Sequence, residues 1–159
     1  MVETNFKNFN HLKIHTQYSI CEGAFKIENI KDFCKENKIS SIGLSDTSNL
    51  CGALEFAENI SKVGTQPIIG TQIYFEYENT TGLLPLIALN EQGYKKIIEL
   101  SSKSYLENDA LSDPHLNINE LLNNNDGVML LSGTIHGLFG KLFEKGHFEE
   151  INKLYKNLL

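Results

Sequence analysis

Short β-rich apolar runs alternate along this chain with longer stretches in which apolar side chains recur every three or four positions. That alternation predicts βα units, hence an α/β fold of mainly parallel strands with helices outside. A first strand is predicted over residues 10–15. The next stretch, 26–37, predicts a helix carrying Ile27, Ile30, Phe33 and Cys34 on one face. A second strand over 41–45 runs into Asp46-Thr47-Ser48-Asn49. The helix after it is expected to turn Leu50, Ala53, Leu54, Ala57 and Ile60 inward, with Asp46, Ser48 or Asn49 as its cap.

Gly64 is placed to end that helix, and residues 67–75 read as a third strand with Pro67 at its tolerated first position. A turn over 79–82 and a fourth strand over 84–89 precede Asn90-Glu91-Gln92, an N-cap with an acidic first turn for a helix reaching about Ser102. Residues 104–117 read as polar loop, 118–122 as a short helix, and 127–132 as a buried strand behind an Asn-rich turn. Residues 133–136 open a helix near 138–144. The final stretch puts Phe148, Ile151, Leu154, Tyr155 and Leu158 on one helical face and reads as cut rather than finished. About five strands are too few for a closed eight-stranded barrel of roughly 250 residues. The pattern therefore predicts an open sheet or the front portion of a larger domain.

With 159 residues, 41% of them hydrophobic, the chain can build a core. It has no apolar run near 18 residues and no basic segment leading into an apolar one, which excludes a membrane span and a secretory signal and leads to a cytoplasmic expectation. Cys21, Cys34 and Cys51 form no Cys-x-x-Cys pair and are odd in number, so reduced thiols are expected, Cys34 in the core. A net charge of -6 argues against nucleic-acid binding by this piece alone, because phosphate contacts need clustered Lys and Arg. DNA, if it is a partner, would be held by another segment.

Candidate chemistry centres on residues 11–19, His-Leu-Lys-Ile-His-Thr-Gln-Tyr-Ser. A His-x-His pair at a strand end points two imidazoles to one face and suits zinc, manganese or iron. Here that face would carry Lys13 and His15, and an ammonium repels a dication. His15 alone reads best as a hydrogen-bonded strand-end histidine, and Asp46 reads as a helix cap before it reads as support for a site. Ser132-Gly133-Thr134 sits where a helix N-terminus would accept a phosphate, although such turns more often satisfy their own amides. His11 is expected under the sheet, and His115, His136 and His147 have no spaced partners. Ser19 and Ser45 lack a His-Asp relay, so no catalytic residue is assigned.

The order and spacing of several pieces resemble the PHP (polymerase and histidinol phosphatase) domain family, in the form found at the N-terminus of bacterial DNA polymerase III α subunits. Residues 11–19 carry the resemblance, together with Glu22-Gly23-Ala24, Leu44-Ser45-Asp46 with Asn49-Leu50, and Gly52-Ala53-Leu54-Glu55-Phe56. Pro67-Ile68-Ile69-Gly70, residues 88–94 and Leu131-Ser132-Gly133 continue it.

The resemblance implies the front part of a distorted (β/α)7 barrel, with residues 1–159 a portion of one PHP domain and the polymerase modules absent. In metal-binding members the ligands are a strand-end His-x-His, a loop carboxylate, a His after the strand-two Asp, a Glu after Ile-Gly-x, a His before strand four and a Cys after a later Ser-Gly. Laid on this chain, those roles fall on Lys13, His15, Glu22, Thr47 beside Asp46, Gln72, Leu83 and Thr134. Most are losses, so the resemblance implies a dismantled metal site and no cofactor for this segment. It implies further that a longer parent is a DNA-directed DNA polymerase using Mg2+, with a proofreading exonuclease subunit and other replicase subunits as partners, DNA bound elsewhere and no membrane. Lys13 is expected to stand in for a metal's charge by bridging Glu22 or Asp46. The alternative is a stand-alone metal-dependent PHP phosphoesterase.

Overall fold

The structure, a computed structural model, describes residues 9–109, 111–123 and 125–158. Two compact units compose it, Met1–Thr71 and Gln72–Leu159.

In the first unit the expected strand over 10–15 is reduced to two isolated parallel bridges, Ile14 to Leu44 and Thr16 to Phe25. Gly43 N–H donates to His11 O (2.6 Å), Ile14 N–H to Gly43 O (3.1 Å) and Ser45 N–H to Ile14 O (2.8 Å). The chain then turns away at Thr16, so no longer ladder forms. A side chain at Gly43 would place its Cβ 2.8 Å from Leu12 Cα, which is why the approach takes glycine. His11 is half-buried, edge-on to the Phe9 ring rather than packed away under the sheet.

Helix α1 (Ile27–Asn37) buries Ile27, Ile30 and Cys34 but leaves Phe33 39% exposed. Phe33 lies six residues, or 240°, past Ile27, at the margin of the stripe. Strand β1 (Ser41–Thr47) lies beside β2 (Gln66–Tyr77). Helix α2 (Ala53–Ser61) turns Ala53, Phe56 and Ile60 inward and leaves Leu54 72% exposed, which corrects the expected face. The spacing i, i+3, i+7 runs through Phe56, about 200° around the helix from Leu54, so turning the larger ring inward turns Leu54 to solvent. These side chains, with Ile39, Ile42 and Leu44, form the core of this unit.

In the second unit β2 continues into a two-residue hairpin at Glu78 and Asn79, both at positive φ (48° and 53°), as a type I′ turn requires. It returns as β3 (Thr80–Ala88). Asn90 caps α3 (Glu91–Leu106), its side chain accepting the Gly93 N–H at 2.9 Å. The helix outruns its expected end at Ser102 because Ser104 is still buried. The loop expected over 104–117 ends in a short strand, β4 (Leu116–Asn117), parallel to β2, with Leu116 buried. After α4 (Asn119–Leu122), β5 (Val128–Leu130) pairs antiparallel with β3 and is only half-buried. The strands are therefore mixed in direction. Helices α5 (Leu138–Glu144) and α6 (Phe148–Leu158) follow. Of the five apolar residues expected inward on α6, only Leu154 is fully buried, while Phe148 meets the Phe143 ring edge-on.

The three thiols are free, and burial pushes that of Cys34 above its ordinary range. Among the described residues no helix is long and apolar enough to cross a membrane.

Candidate functional site

Asp46 ends the buried part of β1 and is itself fully buried. A carboxylate taken out of water must be given donors, and the turn over 16–19 supplies them. Oδ1 accepts the Thr16 N–H (2.6 Å) and the Ser19 hydroxyl (2.6 Å), and Oδ2 accepts the Thr16 hydroxyl (2.7 Å). Ser19 Oγ in turn accepts the Thr47 N–H at 3.1 Å. Thr71 Oγ1 lies 2.6 Å from the Asp46 carbonyl oxygen, a side-chain donor for the backbone of the same residue. Asp46 therefore does not cap α2. The N-cap residue is Gly52, without a side-chain bond, and Asp46 instead fastens the 16–19 turn to the end of β1.

Neighbouring groups extend the fastening. Asn49 Nδ2 donates to Tyr18 O (3.0 Å) and Thr47 O (2.9 Å), while its Oδ1 accepts the Cys51 N–H (3.0 Å). The Tyr18 hydroxyl donates to Glu55 Oε2 at 2.7 Å, and that carboxylate raises the Tyr18 pKa. Gly52 lies under the Tyr18 ring, where a Cβ would stand 2.7 Å from Cδ2.

Glu22, on the exposed side, accepts the Thr47 hydroxyl and stands 3.9 Å from His15 Nδ1, too far for a hydrogen bond. Lys13 is exposed, and the ion pair expected with Glu22 or Asp46 is not formed. The Glu22 side chain meets Thr47 and His15, and that of Asp46 meets Thr16 and Ser19. A flexible, strongly hydrated ammonium gains more from water than from carboxylates already supplied with donors. Its charge acts instead on His15, whose pKa is lowered chiefly by burial and then by Lys13, against the opposing pull of Glu22, Asp46 and a hydrogen bond to the Ser45 backbone.

That direction has a consequence for stability. The unfolded chain takes up a proton at His15 near the ordinary pKa of about 6.5, whereas the folded chain does so only at lower pH. More protons are bound unfolded in that window, so stability rises with pH across it, is complete above it and is lost as pH falls through it. Urea unfolding at pH 5.5 and 7.5 is expected to show a smaller pH difference for His15→Asn than for the natural sequence; equal differences would contradict this role.

The structure thus brings Lys13, His15, Glu22, Asp46 and Thr47 together in the first unit. Gln72, Leu83 and Thr134 belong to the second. There Gln72 is buried in β2, Leu83 bridges to Gly137, and Thr134 accepts the His136 N–H on Oγ1 (3.3 Å) and the Gly137 N–H on its carbonyl (2.8 Å). Thr134 thus takes up the amides of His136 and Gly137, just ahead of α5. Among the described residues no three His, Cys, Asp or Glu side chains converge in a way that could hold a metal ion. Ser19 spends its proton on Asp46, and among the described residues the buried Nδ1 of His15 has no hydrogen-bond partner, so no hydroxyl is joined to a base as an activated nucleophile. Reading by sequence did not single out Thr16, and it weighed Ser19 only as a nucleophile without a relay, not as a donor to Asp46. Their signal was two hydroxyls three positions apart in one turn.

A profile of the PHP domain matches residues 11–159. The chain is 35% identical over 158 residues to the DNA polymerase III subunit alpha of Caulobacter vibrioides, covering 94% of this chain and 14% of that protein. It is 34% identical over 153 residues to the subunit of the same name from Borreliella burgdorferi, covering 89% and 13%. The chain therefore spans about an eighth of the length of these relatives. An amidohydrolase structure from Chromobacterium violaceum aligns with 61% of this chain and 33% of its own at a TM-score of 0.50, with 14% identity, a likeness of fold alone. With 149 consecutive residues matched by one domain profile, the chain belongs to the PHP domain family.

Proposed function

We propose that this chain is the front part of the PHP domain of a bacterial replicative DNA polymerase III α subunit, acting there as a structural and docking module whose metal centre has been dismantled. The observation that carries this reading is the hydrogen-bond lock at Asp46. Two hydroxyls and an amide occupy the Asp46 carboxylate at the end of β1, and the Thr47 hydroxyl occupies that of Glu22. Hydroxyl donors hold together loops that metal ions would otherwise join.

The residues at the ligand positions do not fit a cluster of divalent cations. Lys13 brings a positive charge, Thr47 a hydroxyl turned donor, Gln72 a neutral amide, Leu83 no donor atom, and Thr134 a hydroxyl that accepts from His136. Among the described residues a hydrolytic step would find neither a ligand set nor an activated nucleophile, and on this reading the segment is inactive by itself. The whole polypeptide would be a DNA-directed DNA polymerase of chromosomal replication, cytoplasmic, using Mg2+ held by carboxylates outside these residues. Its partners would be the proofreading exonuclease subunit and other replicase subunits, with DNA held by other modules.

The docking role predicts that a parent polypeptide lacking residues 1–159 no longer co-purifies with the exonuclease subunit. A complex that survives the deletion removes docking from the account. Phosphoester hydrolysis by the purified chain with manganese or zinc would favour the alternative, a metal-dependent phosphoesterase.

A further inference from the structure

The turn before β5 carries chemistry that the site above does not use. Val128 N–H donates to Asn125 O at 3.0 Å, closing a β-turn with Asp126 and Gly127 at its centre. Gly127 has φ +75°, the conformation such a turn reserves for glycine at its third position. Asp126 is exposed, and among the described residues its carboxylate meets neither a cation nor a hydrogen-bond donor. The peptide unit joining the two residues is equally free, since among the described residues neither the Asp126 carbonyl nor the Gly127 N–H makes a backbone hydrogen bond. Rotation of that unit therefore breaks no hydrogen bond, and glycine puts no Cβ in the way.

We propose that Asp126-Gly127 is a site of spontaneous covalent modification, through succinimide formation to isoaspartate. The Gly127 amide nitrogen attacks Cγ of the protonated Asp126 side chain, a C–N bond forms, and the nitrogen's proton leaves with the carboxyl hydroxyl as water. Hydrolysis then adds water back at either ring carbonyl. Opening at the Cα-side carbonyl leaves Gly127 attached through the side-chain carbon, which lengthens the main chain by one methylene without changing the mass.

The location gives the modification an effect. The Gly127 carbonyl accepts the Leu89 N–H at 2.8 Å, and Gly127 packs against Gly93 and the Asn90 cap. One residue later β5 enters register with β3, Val128 opposite Ala88. An extra main-chain atom at Asp126 displaces the lead-in to that pairing and loosens the α3 cap.

The test is incubation of the purified protein at pH 6 and 37 °C, followed by peptide mapping and labelling with an isoaspartate-specific carboxyl methyltransferase. Methyl-accepting sites are expected to accumulate in the peptide containing Asp126 with no mass change, and to be absent from that peptide in Asp126→Glu. The folded rate should lie within about tenfold of the rate in urea, as expected where no hydrogen bond must break first. Deamidation of the neighbouring asparagines would add one mass unit and is thereby distinguished. No unshifted isoaspartate at Asp126, or a folded rate lower by more than about a hundredfold, overturns the proposal.

Discussion

Replacing Asp46 with alanine is expected to lower the unfolding free energy by about 4 kcal/mol. The substitution removes the acceptor of three hydrogen bonds at once and leaves the Thr16 amide, the Thr16 hydroxyl and the Ser19 hydroxyl buried without it. Bonds to a charged acceptor contribute about 1.5–3 kcal/mol each, but three on one group do not add fully. Asp46→Asn keeps one carbonyl oxygen and should cost about half as much. Urea unfolding reads both through a shift in midpoint at constant slope. If Asp46→Ala shifts stability by less than about 1 kcal/mol, the lock is not what holds the 16–19 turn.

Gly93→Ala should cost about 3 kcal/mol for a different reason. A Cβ at Gly93 would run into the Gly127 carbonyl oxygen, which is held by the Leu89 N–H. The Gly93 N–H is itself the donor to Asn90 in the cap of α3. Neither backbone can yield without breaking one of these bonds. Gly64→Ala is the control, because φ there is +78° and nothing lies within 4 Å of the added carbon. Its cost is the left-handed backbone alone, about 1 kcal/mol. Equal effects for the two substitutions, measured by thermal or urea unfolding, would show that the contact at Gly127 relaxes freely.

Most helices and strands were legible because their apolar spacing survives any tertiary context. Ile27, Ile30 and Cys34 declare one helix face, and Asn90-Glu91-Gln92 announces the next start. Where reading failed, the decision lay between residues far apart in sequence. Leu54 and Phe56 are both apolar but point to opposite sides of the helix, about 200° apart, and packing settles which side turns inward in favour of Phe56. The bridge at Ile14 depends on its distant neighbour Gly43, and β4 exists because Leu116 finds Phe75. The direction of β5, antiparallel to β3, has no local signature at all.

The candidate site divides along the same line. Spacing and resemblance by themselves lead to the expectation that Lys13, Thr47, Gln72 and Leu83 occupy ligand positions, which is the reading proposed above. The role of Asp46 is not legible in the same way, since a cap and a lock use the same aspartate. Only the fold places Thr16 and Ser19 on Asp46, thirty and twenty-seven residues away.

The central claim, a PHP scaffold held by hydroxyl donors in place of metal ions, is tested most directly by calorimetric titration of zinc and of manganese into the metal-stripped protein, with bound metal measured on the same sample. The account predicts no saturable binding, and no change in unfolding midpoint with either ion. Two or more tightly bound ions per chain, raising the midpoint as linkage requires, would mean that Lys13, Thr47 and Gln72 do not prevent a site from forming and would contradict the account.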